Sequence, residues 1–451
     1  MNSATAAHTR ARQPRARRSG GAGRLASNLI VAGIALTIGL FLVTGFENIA
    51  PSVLSAASFT FFILVLLTNT DNSELYSPIF CLTFVYGAFL LLGAAFFDVM
   101  RPGSFFESST RFINVGFLCM LLGLCLPTAL LGNRRADGPP VFVTAKSRQV
   151  LYGLLGVSLL AYLVLVGLSG LPVLSANINQ ARIDFLAGKG FIALFYHASA
   201  IVNLALLYDA IGRNRKRQIL ASHVIMGLIA LSYLLIGARG ATLAVGVSYA
   251  FFYIYLKQIR INLLLVFAAA IVGLLFLAAL GSLRRFGGLS LDGMTQETVI
   301  ILTARPAANQ LILNKLQQFD AFGAGAYFEN ALRLIPGYSV NTNLQLREIV
   351  LGTNTFMPSS AGVNPSIVGE AVVNLGPIGL VFVPFLFGLI MVLFFLWMKR
   401  RPTFFRMALY FTFVAYSIIA ITSGIGARMP DFVIATFWVS IVNLFYRNKL
   451  V

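Results

Sequence analysis

Asn364-Pro365-Ser366-Ile367-Val368-Gly369-Glu370 runs through Ala371 into Val372–Met398, a stretch without a single charged side chain. About 20 apolar residues are enough for a helix to cross a roughly 30 Å hydrocarbon core. The stretch is therefore read as a membrane span with a carboxylate at its mouth. Upstream the character is the opposite. From Ser282 to about Ala371 the chain carries Arg284, Arg285, Asp292, Glu297, Arg305, Lys315, Asp320, Glu329, Arg333, Arg347, Glu348 and Glu370. A charged segment of this length against an uncharged one predicts an all-α, polytopic membrane protein with one large loop outside the bilayer.

The composition agrees. Of 451 residues, 58% are hydrophobic and 11% charged, against about 25% charged in soluble domains. About twelve spans are expected, near Leu25–Thr44, Val53–Leu67, Pro78–Phe97, Phe112–Leu131, Val150–Leu168, Phe191–Ile211, Val224–Ile236, Ala241–Leu256, Leu263–Leu280, Val372–Met398, Phe404–Ile421 and Phe432–Phe445. Residues 1–24 read as a disordered basic cytoplasmic arm. Residues 25–451 read as a single integral membrane domain, with 282–371 as its large external loop.

Basic clusters fix the expected orientation. With the arginine-rich N-terminus inside, alternate loops carry Arg134, Arg135, Lys146 and Arg148; Arg213, Arg215, Lys216 and Arg217; Lys257 and Arg260; and Lys399, Arg400, Arg401 and Arg406, followed by Arg447 and Lys449. Cytoplasmic loops collect Lys and Arg, so both termini are expected in the cytoplasm. The formal charge of +19 is thereby explained by topology, and nucleic acid is not an expected partner. Cys81, Cys119 and Cys125 lie in apolar runs and read as small buried hydrophobes.

Chemistry is sought among the polar residues left on the external side. There is no phosphate-binding glycine loop with its lysine, no H-E-x-x-H, and no cysteine or histidine cluster, so neither a metal nor a cofactor is expected. Arginine suits a diphosphate, because its planar fork binds phosphate oxygens bidentately and keeps its proton. Arg239 leads, in a four-residue break Gly237-Ala238-Arg239-Gly240 between two spans. Arg182 follows, in the polar loop 177–184, where a local ion pair with Asp184 is the plain alternative. Arg428, near Asp431, and Arg284, Arg285 and Arg305 complete the set; Arg284 and Arg285 also suit interfacial anchors. An attacking hydroxyl needs a base, and Glu370 is the best-placed external carboxylate. Its plain alternative is a helix-start charge with Asn364 or Ser366 as cap. His197, two turns inside the sixth span, suits a proton relay or a satisfied core histidine.

These residues resemble a family. Gly237-Ala238-Arg239-Gly240, Ile335-Pro336-Gly337, and Asn364-Pro365-Ser366-Ile367-Val368-Gly369-Glu370 followed by Asn374-Leu375-Gly376 are similar to the signatures of Wzy-type oligosaccharide repeat-unit polymerases, which make O-antigen and exopolysaccharide. The lead-in Ser359-Ser360-Ala361-Gly362-Val363 departs from the pattern, lacking a double glycine. The resemblance implies a GT-C-like glycosyltransferase of the bacterial cytoplasmic membrane, free of metal and cofactor. It would move a growing glycan from undecaprenyl diphosphate onto a new lipid-linked repeat. Arg239 and Arg182 would then hold the donor diphosphate, and Glu370 would orient or deprotonate the acceptor hydroxyl. Arg428, Arg305, Arg284, Arg285, Asn364, Ser366 and His197 would be substrate contacts. The implied partners are the undecaprenyl-diphosphate-linked oligosaccharide, membrane lipids, a chain-length regulator and a flippase. A ligase of the same architecture, and a polysaccharide transporter or flippase, stay open as alternatives.

Overall fold

The computed structural model describes residues 21–45, 48–68, 75–93, 107–131, 148–175, 189–259, 290–299 and 364–446, with isolated positions within 181–185, 271–282 and 312–332. The described elements are helices: α1 (Gly21–Thr44), α2 (Pro51–Thr68), α3 (Pro78–Tyr86, continued by a π-helical turn Gly87–Leu91), α4 (Glu107–Leu131), α5 (Arg148–Ser169), α6 (Gly190–Gly212), α7 (Lys216–Leu235), α8 (Arg239–Lys257), α9 (Leu291–Val299), α10 (Ser366–Arg400), α11 (Phe404–Ser423) and α12 (Met429–Leu444). Seven of these regions are long and apolar enough to cross a membrane, and Asn28–Thr44 and Pro78–Leu91 are shorter apolar helices. The chain is a polytopic all-α membrane protein. Each expected span except the ninth coincides with a described helix; the ninth, Leu263–Leu280, lies largely outside the described residues.

The closest packing is between α4 and α10. Gly123 makes it possible: a Cβ there would lie 2.1 Å from the Phe385 carbonyl oxygen, and one on Gly388 would lie 2.5 Å from that of Met120. Each helix presents a glycine to the other's backbone, which is how small residues bring membrane helices together. The pair runs parallel, since Gly116 lies against Leu380 while Gly123 lies against Phe385 and Leu389.

Helix α10 is broken. Gly376 takes φ 63°, ψ −156°, a conformation open essentially to glycine alone, and Pro377 follows it. The half before the break, from Ser366 to Asn374, is wholly buried. The break itself is open: Leu375, Pro377 and Ile378 are exposed. The helix starts at Ser366, in line with the helix-start alternative for Glu370, and Glu370 stands in its buried first half. The helix α9 was not expected. Its Glu297 is buried, and its carboxyl fills the space beside Gly281. The loop sequence also suggests short apolar helices over Thr298–Phe319, broken near Pro306, and over Tyr327–Leu334; both ranges fall largely outside the described residues.

Polar contacts distinguish the two ends of the bundle. At one end the buried Asp209 binds Arg148 Nη2 at 2.6 Å and Arg213 Nε at 2.9 Å, and Arg148 also donates to Gln218. This joins the start of α5, the end of α6 and the start of α7. By connectivity, Lys257, Lys399, Arg400 and Arg406 belong to the same end. At the opposite end stand the start of α10, the end of α11 and the starts of α8 and α12.

Candidate active site

The site is assembled from three sequence-distant pieces at the end opposite Asp209. The first is the start of α10. Ser366 adopts φ 63°, an unusual and costly conformation for a side-chain-bearing residue. Its hydroxyl accepts the Gly369 N–H at 3.4 Å. Of the two caps proposed from sequence, Ser366 is the one whose side chain meets the first turn; Asn364 is exposed, just before it.

The second piece is the turn after α11. Gly424, at φ 94°, ends that helix, and Gly426–Arg428 form a single 3-10 turn before α12. Glu370 spans both pieces. Its Oε1 accepts the Gly426 N–H at 2.8 Å and its Oε2 accepts the Ile425 N–H. The carboxylate lies so close that a Cβ on Gly424 would stand 3.0 Å from its carboxyl carbon. Glycine is thus required twice over at 424, by φ and by space. Glu370 is 5% exposed. A buried carboxyl group needs hydrogen-bond partners, and the two backbone donors supply them.

The same turn sets Arg428. Its N–H reaches the Ile425 carbonyl at 2.9 Å, its Nε donates to Ser423 Oγ at 3.1 Å and its Nη1 to Asp431 at 3.2 Å. These bonds leave Nη2 outside the network. Arg428, near Asp431 in the sequence, is paired with it in the structure. The Arg428 and Asp431 side chains keep 23% and 20% of their surface exposed.

The third piece is the α7–α8 break. Gly237 takes φ 80° and its N–H bonds back to the Leu234 carbonyl, while that of Ala238 bonds to Tyr233. The break is shorter than expected: Arg239 and Gly240 are the first two residues of α8, because Thr242 N–H and Oγ1 both return to the Ala238 carbonyl and close the turn there. Gly240 lies against Ile419, and Ser248 pairs with Thr412 at 3.3 Å. In that antiparallel register Arg239 stands level with the last turn of α11, beside the Ser423–Arg428 turn. The register reveals a signal overlooked in the sequence. Gly-Ala-Arg occurs at 237–239 and again at 426–428, and each copy opens a helix packed on α11. Two arginines thus stand at helix starts at this end of the bundle, where a cation opposes the helix dipole, and Asp431 neutralises part of that charge at Arg428.

His197 is not brought to this turn. Its Nδ1 shares a 2.7 Å hydrogen bond with the Tyr233 hydroxyl, as expected of a satisfied core histidine. It lines a cavity of about 30 Å³ with Tyr233, Ser248, Thr412, Tyr416 and Asp431, room for one or two waters. Arg182, Arg284, Arg285 and Arg305 lie outside the described residues, as does Glu47. Among the described residues no three His, Cys, Asp or Glu side chains gather as metal ligands.

The family model described as "Putative O-antigen polymerase" matches residues 48–429. The chain belongs to the O-antigen polymerase family. The matched region takes in all three pieces of the site, from the Arg239 break to Arg428. No curated protein and no solved structure matches the chain.

Proposed function

We propose that this O-antigen polymerase family member is a glycosyltransferase that polymerises undecaprenyl-diphosphate-linked oligosaccharide repeat units at the outer face of the bacterial cytoplasmic membrane, within a GT-C-like bundle. The observation that carries the proposal is the meeting of the Arg239 helix start, the Glu370 half-helix and the Arg428 turn at one bundle end. The basic Asp209 end faces the cytoplasm under the rule that Lys and Arg stay inside, so the arginine-bearing end faces out.

In this mechanism the acceptor sugar hydroxyl attacks the anomeric carbon of the donor glycan. The glycosidic bond forms as the bond from that carbon to the diphosphate oxygen breaks. The hydroxyl proton leaves to the diphosphate or to water, and undecaprenyl diphosphate departs. Negative charge grows on the leaving oxygen, and fixed cations facing it stabilise the transition state more than the ground state. Arg239 and Arg428 supply those cations, with Arg182 as a further donor contact and Arg284, Arg285 and Arg305 along the approach from the external loop. Asn364, at the exposed edge of the site, contacts the incoming glycan.

Purified protein incubated with lipid-diphosphate-linked repeat units should yield a ladder of products. A single transfer to a different acceptor would indicate a ligase instead, and no product would indicate a transporter.

A further inference from the structure

We infer that Glu370 is a positioning residue for the diphosphate site, clamping the turn that aims Arg428, and is not the base that deprotonates the acceptor. The inference rests on the polymerase reading for the identity of the anion, and on geometry for the role.

Three observations converge. The first is that both carboxylate oxygens are engaged, each by a different backbone N–H of one turn, Ile425 and Gly426. A general base must reach the incoming hydroxyl at hydrogen-bond distance, whereas Glu370 faces the backbone of the Ile425–Gly426 turn and is 5% exposed. The second is that, beyond the bonds Gly424 and Arg428 make to Ala420 and Ile425, the N–H groups of Ile425 and Gly426 are held by Glu370. Gly424 and Gly426 lie within it, and glycine leaves the chain free to adopt other conformations. The carboxylate selects one of them by satisfying two consecutive donors at once. The third is that the selected conformation places Arg428. Its backbone N–H closes on the Ile425 carbonyl, and its Nε reaches Ser423 at the edge of the same turn. The chain of contact runs from Glu370 through Ile425 and Gly426 to the guanidinium. Half-helix burial makes the clamp rigid, since every residue from Ser366 to Asn374 is packed.

Glutamine is the informative replacement. Its single carbonyl oxygen can accept one of the two N–H groups, while its NH2 meets the other donor head-on. The turn loses an acceptor and gains a repulsion, and Arg428 loses its aim. The experiment measures retention of a radiolabelled polyisoprenyl diphosphate by detergent-purified full-length protein without acceptor. It compares wild type, Glu370→Gln, Arg428→Ala, the double variant, and Ser423→Ala, with KM values for donor and acceptor and an unfolding midpoint measured for each.

The expected result is a loss of donor affinity of about 10- to 100-fold in Glu370→Gln, the range of a lost bond to a charged group. The double variant should bind no more weakly than Arg428→Ala alone, because the clamp acts through that arginine. The donor KM should rise while the acceptor KM holds. Glu370→Gln that binds donor like wild type but does not turn over would identify a base and overturn the inference. So would additive losses in the double variant, or equal damage to donor and acceptor. If Glu370→Gln does not fold, Ser423→Ala decides: it removes the Nε contact with Glu370 intact, and unchanged donor affinity there overturns the inference. Because donor binding is read without acceptor, a chain that binds the diphosphate yet makes no ladder sinks the polymerase reading alone.

Discussion

Replacing Gly123 with alanine tests the packing that carries the site. The added Cβ would start 2.1 Å from the Phe385 carbonyl oxygen and 3.0 Å from the Leu389 nitrogen. Non-bonded contacts settle at about 3.5 Å, so α4 and α10 must separate locally by about 1 Å. The obstacle is backbone, not a side chain that can swing away. Overpacking of this kind costs about 1–3 kcal/mol. Gly388→Ala makes the reciprocal intrusion, 2.5 Å from the Met120 carbonyl oxygen. Once one substitution has moved the helices apart, the second costs less, so the double variant should fall short of the sum. The assay is the unfolding midpoint of detergent-purified protein, with Gly156→Ala as control, because nothing lies within 4 Å of a Cβ there. Donor binding should fall alongside stability, since α10 also carries Glu370. A wild-type midpoint for Gly123→Ala would refute the close crossing and the placement of the Glu370 half-helix that depends on it.

Arg239→Lys keeps the charge and loses the planar fork, so chain extension should drop by the equivalent of about 1–3 kcal/mol of transition-state stabilisation at unchanged expression; wild-type rates would remove Arg239 from the mechanism. Asp209→Asn leaves Arg148 and Arg213 around a neutral amide in place of the buried carboxylate they both contact, and should destabilise the protein by about 3 kcal/mol in a denaturation series, with donor affinity spared because the site is at the other end. In a version lacking the native cysteines, a cysteine at Ser290 should react with an impermeant reagent applied to intact spheroplasts, while one at Asn214 should react only after permeabilisation; the reverse pattern would invert the topology.

The membrane class, the positions of most spans and the family were legible in the sequence, because each depends on local chemistry. A run of apolar residues must find hydrocarbon or protein wherever it sits, and Gly237-Ala238-Arg239-Gly240 and Pro365-Ser366 through Glu370 are recognisable as strings. Asp431 is visible in the sequence three residues after Arg428, and the candidacy of Glu370 was legible too, from the uncharged run that follows it. What Glu370 touches was not. Its partners are the N–H groups of Ile425 and Gly426, far along the chain and carrying no side-chain signature, so no spacing rule could find them. The break inside α10 was hidden as well: Gly376 takes a positive φ between a buried half-helix and the apolar span, and apolar periodicity merges the two. The equivalence of the two Gly-Ala-Arg helix starts needed the register of α8 against α11, which follows from Gly240 lying on Ile419 and Ser248 on Thr412. Composition placed the chain in the membrane; tertiary packing decided which of its arginines stand at one end of the bundle, Arg239 at the start of α8 and Arg428 before α12, because only packing brings residues distant in sequence together.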